Sequence, residues 1–446
     1  MLTNKHLVAV VGAGPAGLFA ARELAVQGVD VFLFNRDIKP GGLAEYGIFP
    51  DKHKMKEGLR TQFRQVLSLP NVHYYGNVTI GSQADLSLDD LRTMGFQAIL
   101  ITVGAQGTKW LGLPGEDLKG VYHAKDLVYH YNRLPPFGSQ NFEIGKRVAI
   151  VGAGNVSMDI SRYLATSRMV DDIFVLIRRG PAEVKFDGKE LEHVVAYLDL
   201  TALRNEMERV RPVMLSLGQD PVHFRETVMT AREKGDLSTS RTHIKLMFLA
   251  SPTRLLGDDH GHVTGIELED NTLVSENGEI KARGLGSHKV VDVETVIFAF
   301  FDRVDGALGL PVKGSEFTKN PNPRFAVEQQ TFELINPVDN TPIDDIFVAG
   351  WARKASTGLV GIARKDGTNG ARVVMQYLQT QPEKETDYFD QIDKRILALP
   401  KPVVTWHELQ QLQAAEQAMA EKNQVEEFKF HTNEEMLSAI GISEIH

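Results

Sequence analysis

The 446-residue chain contains no cysteine. A Cys-x-x-Cys redox pair is therefore excluded, and so is an iron–sulfur cluster held by the chain's own thiolates. If this protein moves electrons, they must travel on a bound organic cofactor. A basic excess is also lacking. The 49 lysines and arginines stand against 58 acids, a formal net charge of −9, which argues against nucleic acid as the main partner. No run approaches the ~20 uninterrupted apolar residues of a membrane helix, so no membrane span is expected. Met1 to His6 lead directly into an apolar strand pattern. That leaves no room for a leader, and a cytoplasmic protein is expected. The length implies two or three domains rather than one core.

What is present begins with Leu7-Val8-Ala9-Val10-Val11, an apolar run of the kind that forms a buried parallel strand. It enters Gly12-Ala13-Gly14-Pro15-Ala16-Gly17 and then a helical stretch, Leu18 to Ala25. Strand, G-x-G-x-x-G and helix together form a dinucleotide-binding turn. Gly12 permits the tight turn, Gly14 lets a pyrophosphate approach the backbone, and Gly17 lets helix and strand pack closely. The helix start offers free amides and a positive dipole end to the phosphates. After the second strand, Val29 to Phe34, the usual ribose-gripping acid is missing and Asn35 stands in its place. An amide bonds a ribose hydroxyl less strongly than a carboxylate does.

The pattern recurs. Arg147 to Val151 lead into Gly152-Ala153-Gly154-Asn155-Val156-Ser157, with a small serine at the third position. The next strand, Ile173 to Ile177, ends in Arg178-Arg179-Gly180-Pro181. In such units that strand end carries an acid for NAD and arginine for the 2′-phosphate of NADP, and two guanidiniums suit a phosphate dianion. NADP(H) is the ligand expected here. One such turn is weak evidence, but two in one chain imply two dinucleotides.

Between the turns lies a glycine-dense loop, Pro40 to Gly47. Ala98 to Ala105 reads as a strand running to a domain crossing, and Asn320-Pro321-Asn322-Pro323 suggests the return. Thr405-x-x-Glu408 and Thr432-x-x-Glu435 read as capping boxes of two tail helices. His260-Gly261-His262 beside Asp258 and Asp259 reads as a solvated turn, and no metal site is expected. The expected fold class is α/β, with two Rossmann-like parallel-sheet domains, one inserted in the other. The outer domain would span 1–108 and 327–446, and the inserted domain 109–326.

Five segments carry a resemblance over essentially the whole length. They are the first glycine turn; Gly42-Leu43 through Tyr46 to Asp51; Leu113-Pro114-Gly115-Glu116 through Tyr131-Asn132; Val151 to Asp159 with Arg178 to Pro181; and Gly350-Trp351 through Thr357 to Val360. The tail around Glu435-Met436-Leu437 adds to it. The chain resembles the adrenodoxin reductase-type ferredoxin–NADP reductases, a branch of the glutathione-reductase-like flavoproteins.

The resemblance implies FAD on Gly12, Gly14, Pro15, Ala16, Gly17, Asn35, Leu43, Val78, Trp351, Gly358, Leu359 and Val360. It implies NADP on Gly154, Asn155, Val156, Arg178, Arg179 and Glu190, with Gly358 near the nicotinamide. It further implies hydride transfer from NADPH to flavin, single-electron release, and a ferredoxin or similar small acidic carrier as partner. Arg204, Arg209, Arg211, Arg225, Arg232, Lys234 and Arg241 are candidates for a basic docking face, as are Arg353, Lys354, Arg364 and Lys365. No general base is strictly required, and Glu190 and His53 are the candidates for tuning. Pro50-Asp51-Lys52-His53 displaces the family's flavin-side histidine by one, leaving Lys52 or His53 in its role. Lys354-Ala355-Ser356 replaces the usual Lys/Arg-Gly-Pro. An electron-input subunit like the small subunit of glutamate synthase is an alternative. Such subunits usually carry a cysteine-rich domain that this chain lacks. A non-catalytic flavin scaffold is a third reading, and it would not need the second turn.

Overall fold

The structure, a computed structural model, describes residues 6–300, 302–355, 358, 360–384 and 388–442. The chain divides into two units. The first comprises 1–108, 129–139 and 301–446, and the second 109–128 and 140–300. The sequence had suggested a return crossing at 326/327 and a second domain without interruption. Here the second unit ends at Phe300, and residues 129–139 join the first unit. Apolar contacts account for the second difference: Tyr129 and Leu134 form a small core with Tyr46, Leu43 and Phe137.

The first unit is built on a six-stranded sheet. Its strand order is Glu333–Ile335, Pro342–Val348, Ala98–Ile101, Leu7–Val11, Asp30–Asn35 and Val72–Gly76. All neighbours run parallel except the Glu333–Ile335 edge. Leu7–Val11 lies at the centre with all five residues buried, as a strand covered on both faces should be. One face packs under helices Pro15–Val26 and Val360–Leu378, the other over Phe32, Phe34, Tyr75 and Phe96. Helices Trp406–Lys422 and Asn433–Ala439 start at the two expected capping boxes.

The second unit has a five-stranded parallel sheet. Its order is Val121–His123, Thr295–Phe298, Arg147–Val151, Asp172–Leu176 and His243–Met247. It also carries a three-stranded antiparallel sheet of Ala250–Gly257, Val263–Glu276 and Glu279–Asp292. The sequence reading held only parallel sheets. The hairpin turns at Asn277-Gly278, both with positive φ (52° and 79°), the backbone that a tight two-residue turn demands. Among the described residues, no helix is long and apolar enough to cross a membrane.

Candidate functional site

In the first unit the strand order reverses around Leu7–Val11, because the chain goes first to Asp30–Asn35 on one side and later to Ala98–Ile101 on the other. Ligands of open α/β sheets bind at this switch point, beyond the carboxyl ends of the strands. The glycine turn lies there. Gly12 has φ +105°, and its amide donates to the Phe34 carbonyl at 2.8 Å. A Cβ at Gly17 would stand 1.9 Å from the Gly12 oxygen, so only glycine lets helix and turn meet. A Cβ at Gly14 would meet nothing within 4 Å. Gly14 caps the Pro15–Val26 helix without a side-chain bond, Pro15 occupies its first turn, and that turn holds no acid. An uncapped helix start facing open space is a phosphate cradle, and it fits the pyrophosphate of FAD.

Elements far along the chain press on this cradle. Gly41 donates to the Ala13 carbonyl at 2.7 Å, and a Cβ on Gly42 would stand 3.2 Å from Gly14 Cα. Leu43 begins a short helix, Leu43–Tyr46, immediately after them. Trp351 lies in the Gly350–Ala352 turn. That turn closes on Ala16, with a Cβ at Gly350 2.6 Å from Ala16 Cβ and one at Gly367 2.1 Å from the Ala16 carbonyl oxygen. The buried Asp366 carboxylate accepts from the Gly350 amide at 2.6 Å and pairs with Arg353. Sequence reading passed over Asp366 and Gly367. Glycines at 367 and 370 inside a helix were the available signal, since they mark close backbone approach. Gly358 has φ +79°, and Val360 opens the following helix. Leu359 lies outside the described residues.

Asn35 takes a different part from the expected ribose contact. Its Oδ1 accepts from the Ala13 amide at 3.0 Å, and its Nδ2 donates to the carbonyls of Asp37 (2.8 Å) and Lys39 (3.0 Å). Both amide hydrogens are spent, so Asn35 braces the glycine turn instead of donating to a sugar. Val78 is 1% exposed and donates its amide to the Asn35 carbonyl at 2.9 Å. Its side chain is core, which removes it as a side-chain contact for ligand.

In the second unit Gly152 makes the same turn (φ +142°), and a Cβ there would lie 2.2 Å from the Ala299 oxygen. Gly154 is again an open position capping an uncapped helix, Asn155–Tyr163. Asn155 exchanges hydrogen bonds with Asp187 (2.9 and 3.2 Å), and Val156 is exposed. Asp187 also caps the Gly188–Glu192 helix that carries half-buried Glu190. The Arg178-Arg179 loop is held by its backbone. Asn271 Nδ2 donates to the Arg178 carbonyl at 3.0 Å, and the Leu249 amide to that of Arg179 at 3.1 Å. Among the described residues, neither guanidinium makes a hydrogen bond or an ion pair. Two adjacent cations that make no ion pair among the described residues, just beyond the Asp172–Leu176 strand, have the charge to receive a second phosphate.

A profile of the pyridine nucleotide-disulphide oxidoreductase family matches residues 6–197. NADPH-ferredoxin reductase FprA of Mycobacterium leprae is 26% identical, over 93% of this chain and 94% of that protein. The mitochondrial NADPH:adrenodoxin oxidoreductase of Drosophila melanogaster is 27% identical over 99% and 94%. The chain is thus similar, over almost its whole length, to an NADPH-ferredoxin reductase and an NADPH:adrenodoxin oxidoreductase. Its fold matches Mycobacterium tuberculosis FprA in complex with NADPH at a TM-score of 0.82, covering 98% of this chain and 99% of that one, at 23% identity.

Glu190 belongs to the second unit and His53 to the first. His53 begins the His53–Leu67 helix and pairs with Glu426 (3.0 Å) and Glu427 (3.8 Å) of the tail. The Glu426 carboxylate lies within hydrogen-bond distance of Nε2 and Glu427 lies near Nδ1, which places His53 against the tail. The suggested basic face near Trp351 is thinner than its composition. Arg353 is taken by Asp366, Arg364 lies over the Phe19 ring at 4.5 Å, and Lys365 pairs with Glu328 at 2.8 Å. Lys354 is exposed and carries no ion pair among the described residues. In the second unit Arg209 and Arg211 pair with Glu206 and Glu208.

Lys56 was not singled out in the sequence. It is 1% exposed, donates to Asn132 Oδ1 at 3.1 Å, and lies 3.7 Å from Glu427. Burial, then the nearby Lys429 charge, lowers its ammonium to about 8, against the pull of Glu427 and Glu45. The unfolded lysine titrates at 10.5. The fold therefore bears the full cost of this charge below pH 8 and is relieved of it between 8 and 10.5. Lys56→Met is expected to exceed wild type in stability at pH 7 by up to about 3 kcal/mol, with the gap closing by pH 10.5. Urea unfolding at both pH values checks this, and a gap independent of pH would refute it.

Proposed function

We propose that this protein is an FAD-dependent NADPH–ferredoxin reductase. The observation that carries the reading is the pair of helix starts behind glycine turns without side-chain caps, the second accompanied by two guanidiniums that make no ion pair among the described residues. The activities named for the similar reductases support it. When bound, FAD would take hydride from NADPH and release electrons one at a time.

The chain's own residues bind and orient. Gly12, Gly14, Pro15, Ala16 and Gly17 cradle the pyrophosphate of FAD, with Leu43, Trp351, Gly358, Leu359 and Val360 as further contacts and Asn35 as a brace. Gly154, Asn155 and Val156 hold the NADP pyrophosphate, and Arg178 and Arg179 the 2′-phosphate. Glu190 and Gly358 are assigned to the NADP site by resemblance. Anaerobic mixing with NADPH should bleach the flavin band. No flavin in the purified or reconstituted protein, or no bleaching, would overturn the reading.

The electron acceptor is a small acidic ferredoxin-like carrier, for which Lys354 offers an exposed positive contact. Attraction between exposed charges is screened beyond about 8 to 10 Å at physiological salt. We expect kcat/KM for ferredoxin to fall about tenfold between 50 and 500 mM salt, and also in Lys354→Glu, while flavin reduction by NADPH holds. A salt-independent ferredoxin rate would exclude an acidic carrier.

A further inference from the structure

Glu45 is a carboxylate inside a core, 3% exposed, on the Leu43–Tyr46 helix behind Gly41-Gly42. A lone buried carboxylate is too costly to persist unless cations meet it. Arg60 does so with two hydrogen bonds of 2.7 Å, one to each oxygen. Lys429 Nζ stands 2.8 Å from Oε1 and also donates to the Glu45 carbonyl at 3.0 Å. Lys39 lies 3.7 Å from Oε1. Burial pushes the Glu45 carboxyl up, but Lys429, Lys39 and Arg60 outweigh it and hold it well below the usual range.

The cluster continues into the tail. Lys39 pairs with Glu416 at 2.5 Å, and Glu427 bonds Arg60 and lies 3.7 Å from both Lys429 and Lys56. The cluster thus draws Lys39, Glu45, Lys56 and Arg60 from one stretch of the chain and Glu416, Glu427 and Lys429 from the tail. The loop it holds is the one whose other side rests on Ala13 and Gly14.

We propose that Glu45 is a positioning residue for FAD: by its bonds to Arg60 and Lys429 it presses the Gly41–Gly47 loop onto the first glycine turn, so that the C-terminal tail sets flavin affinity through that loop. The inference rests on reading that turn as the FAD site. A charge-neutral pair leaves no ion stranded in the core, whereas removing one partner does.

The test compares wild type, Glu45→Gln, Lys429→Met, the double variant and Lys429→Arg, measuring FAD dissociation by flavin fluorescence and NADP+ binding by calorimetry. Each charge-removing single variant should raise the FAD Kd about tenfold or more and leave NADP+ Kd within about twofold. The double variant should bind FAD better than the two single effects combined predict, and Lys429→Arg should stay near wild type. If the single variants fail to fold, Glu427→Gln, at the half-buried rim, takes their place with the same expected direction. FAD affinity unchanged in the folded variants, or additive losses in the double, would overturn the positioning role. Wild type that binds no FAD would instead overturn the functional reading beneath it.

Discussion

Arg178→Ala is expected to raise the KM for NADPH about 10- to 100-fold while kcat stays nearly unchanged. Hydrogen bonds to charged groups contribute roughly 1.5 to 3 kcal/mol each, and every 1.4 kcal/mol is tenfold in affinity. Among the described residues this guanidinium makes no hydrogen bond or ion pair that would compete with a ligand. The loop is held through its backbone, by Asn271 and Leu249, so the alanine variant should keep its shape. The 2′-phosphate is remote from the transferred hydride, and uniform binding lost in this way appears in KM. NADH lacks that phosphate, so its turnover should hardly change. Equal damage to NADH and NADPH would mean that Arg178 supports the fold or the hydride step and not the phosphate. Asn271→Ala should reduce the preference as well, by loosening the carbonyl that aims the loop.

Gly14→Ala and Gly17→Ala should fail in opposite ways, although the residues are three apart in one turn. A methyl at Gly14 meets no protein atom within 4 Å, and its φ of −75° suits any residue. That variant should fold with an unchanged main thermal transition. It should lose FAD affinity by about 100-fold, because the methyl occupies the space where the pyrophosphate meets the helix amides and would displace about two charge-assisted bonds. A methyl at Gly17 meets the Gly12 carbonyl oxygen at 1.9 Å and Thr102 Oγ1 at 2.6 Å. Relieving that overlap means separating helix from strand, at a cost of about 1 to 3 kcal/mol or more. Its thermal transition should drop in the apoprotein too. Calorimetry of both apoproteins with flavin titration separates the cases. A destabilised Gly14→Ala apoprotein, or a normal Gly17→Ala one, would contradict the packing described here.

The two glycine turns, the arginine pair and the capping boxes at Thr405 and Thr432 were legible because each is a local demand. A run of about six residues must make a sharp turn, open its amides and start a helix, and only particular residues do that in sequence. The Asn277-Gly278 hairpin was equally legible and went unread, since the flanking strands lack a clean alternation. Other features had no local signature. Asn35 looks like a substitute ribose ligand until the structure brings its amide to the Ala13, Asp37 and Lys39 backbone. Arg353 and Arg364 read as a docking surface until Asp366 and the Phe19 ring are seen to occupy them. Glu45 and Lys429 stand 384 positions apart and meet at 2.8 Å. By itself, the sequence determined that this chain has two glycine turns that each open a helix and an arginine pair after the strand that follows the second, because turn conformation and helix starts are encoded within a few neighbours. Only the tertiary structure decided which charged and polar side chains stay free for ligands, because that depends on partners that the fold brings from hundreds of residues away.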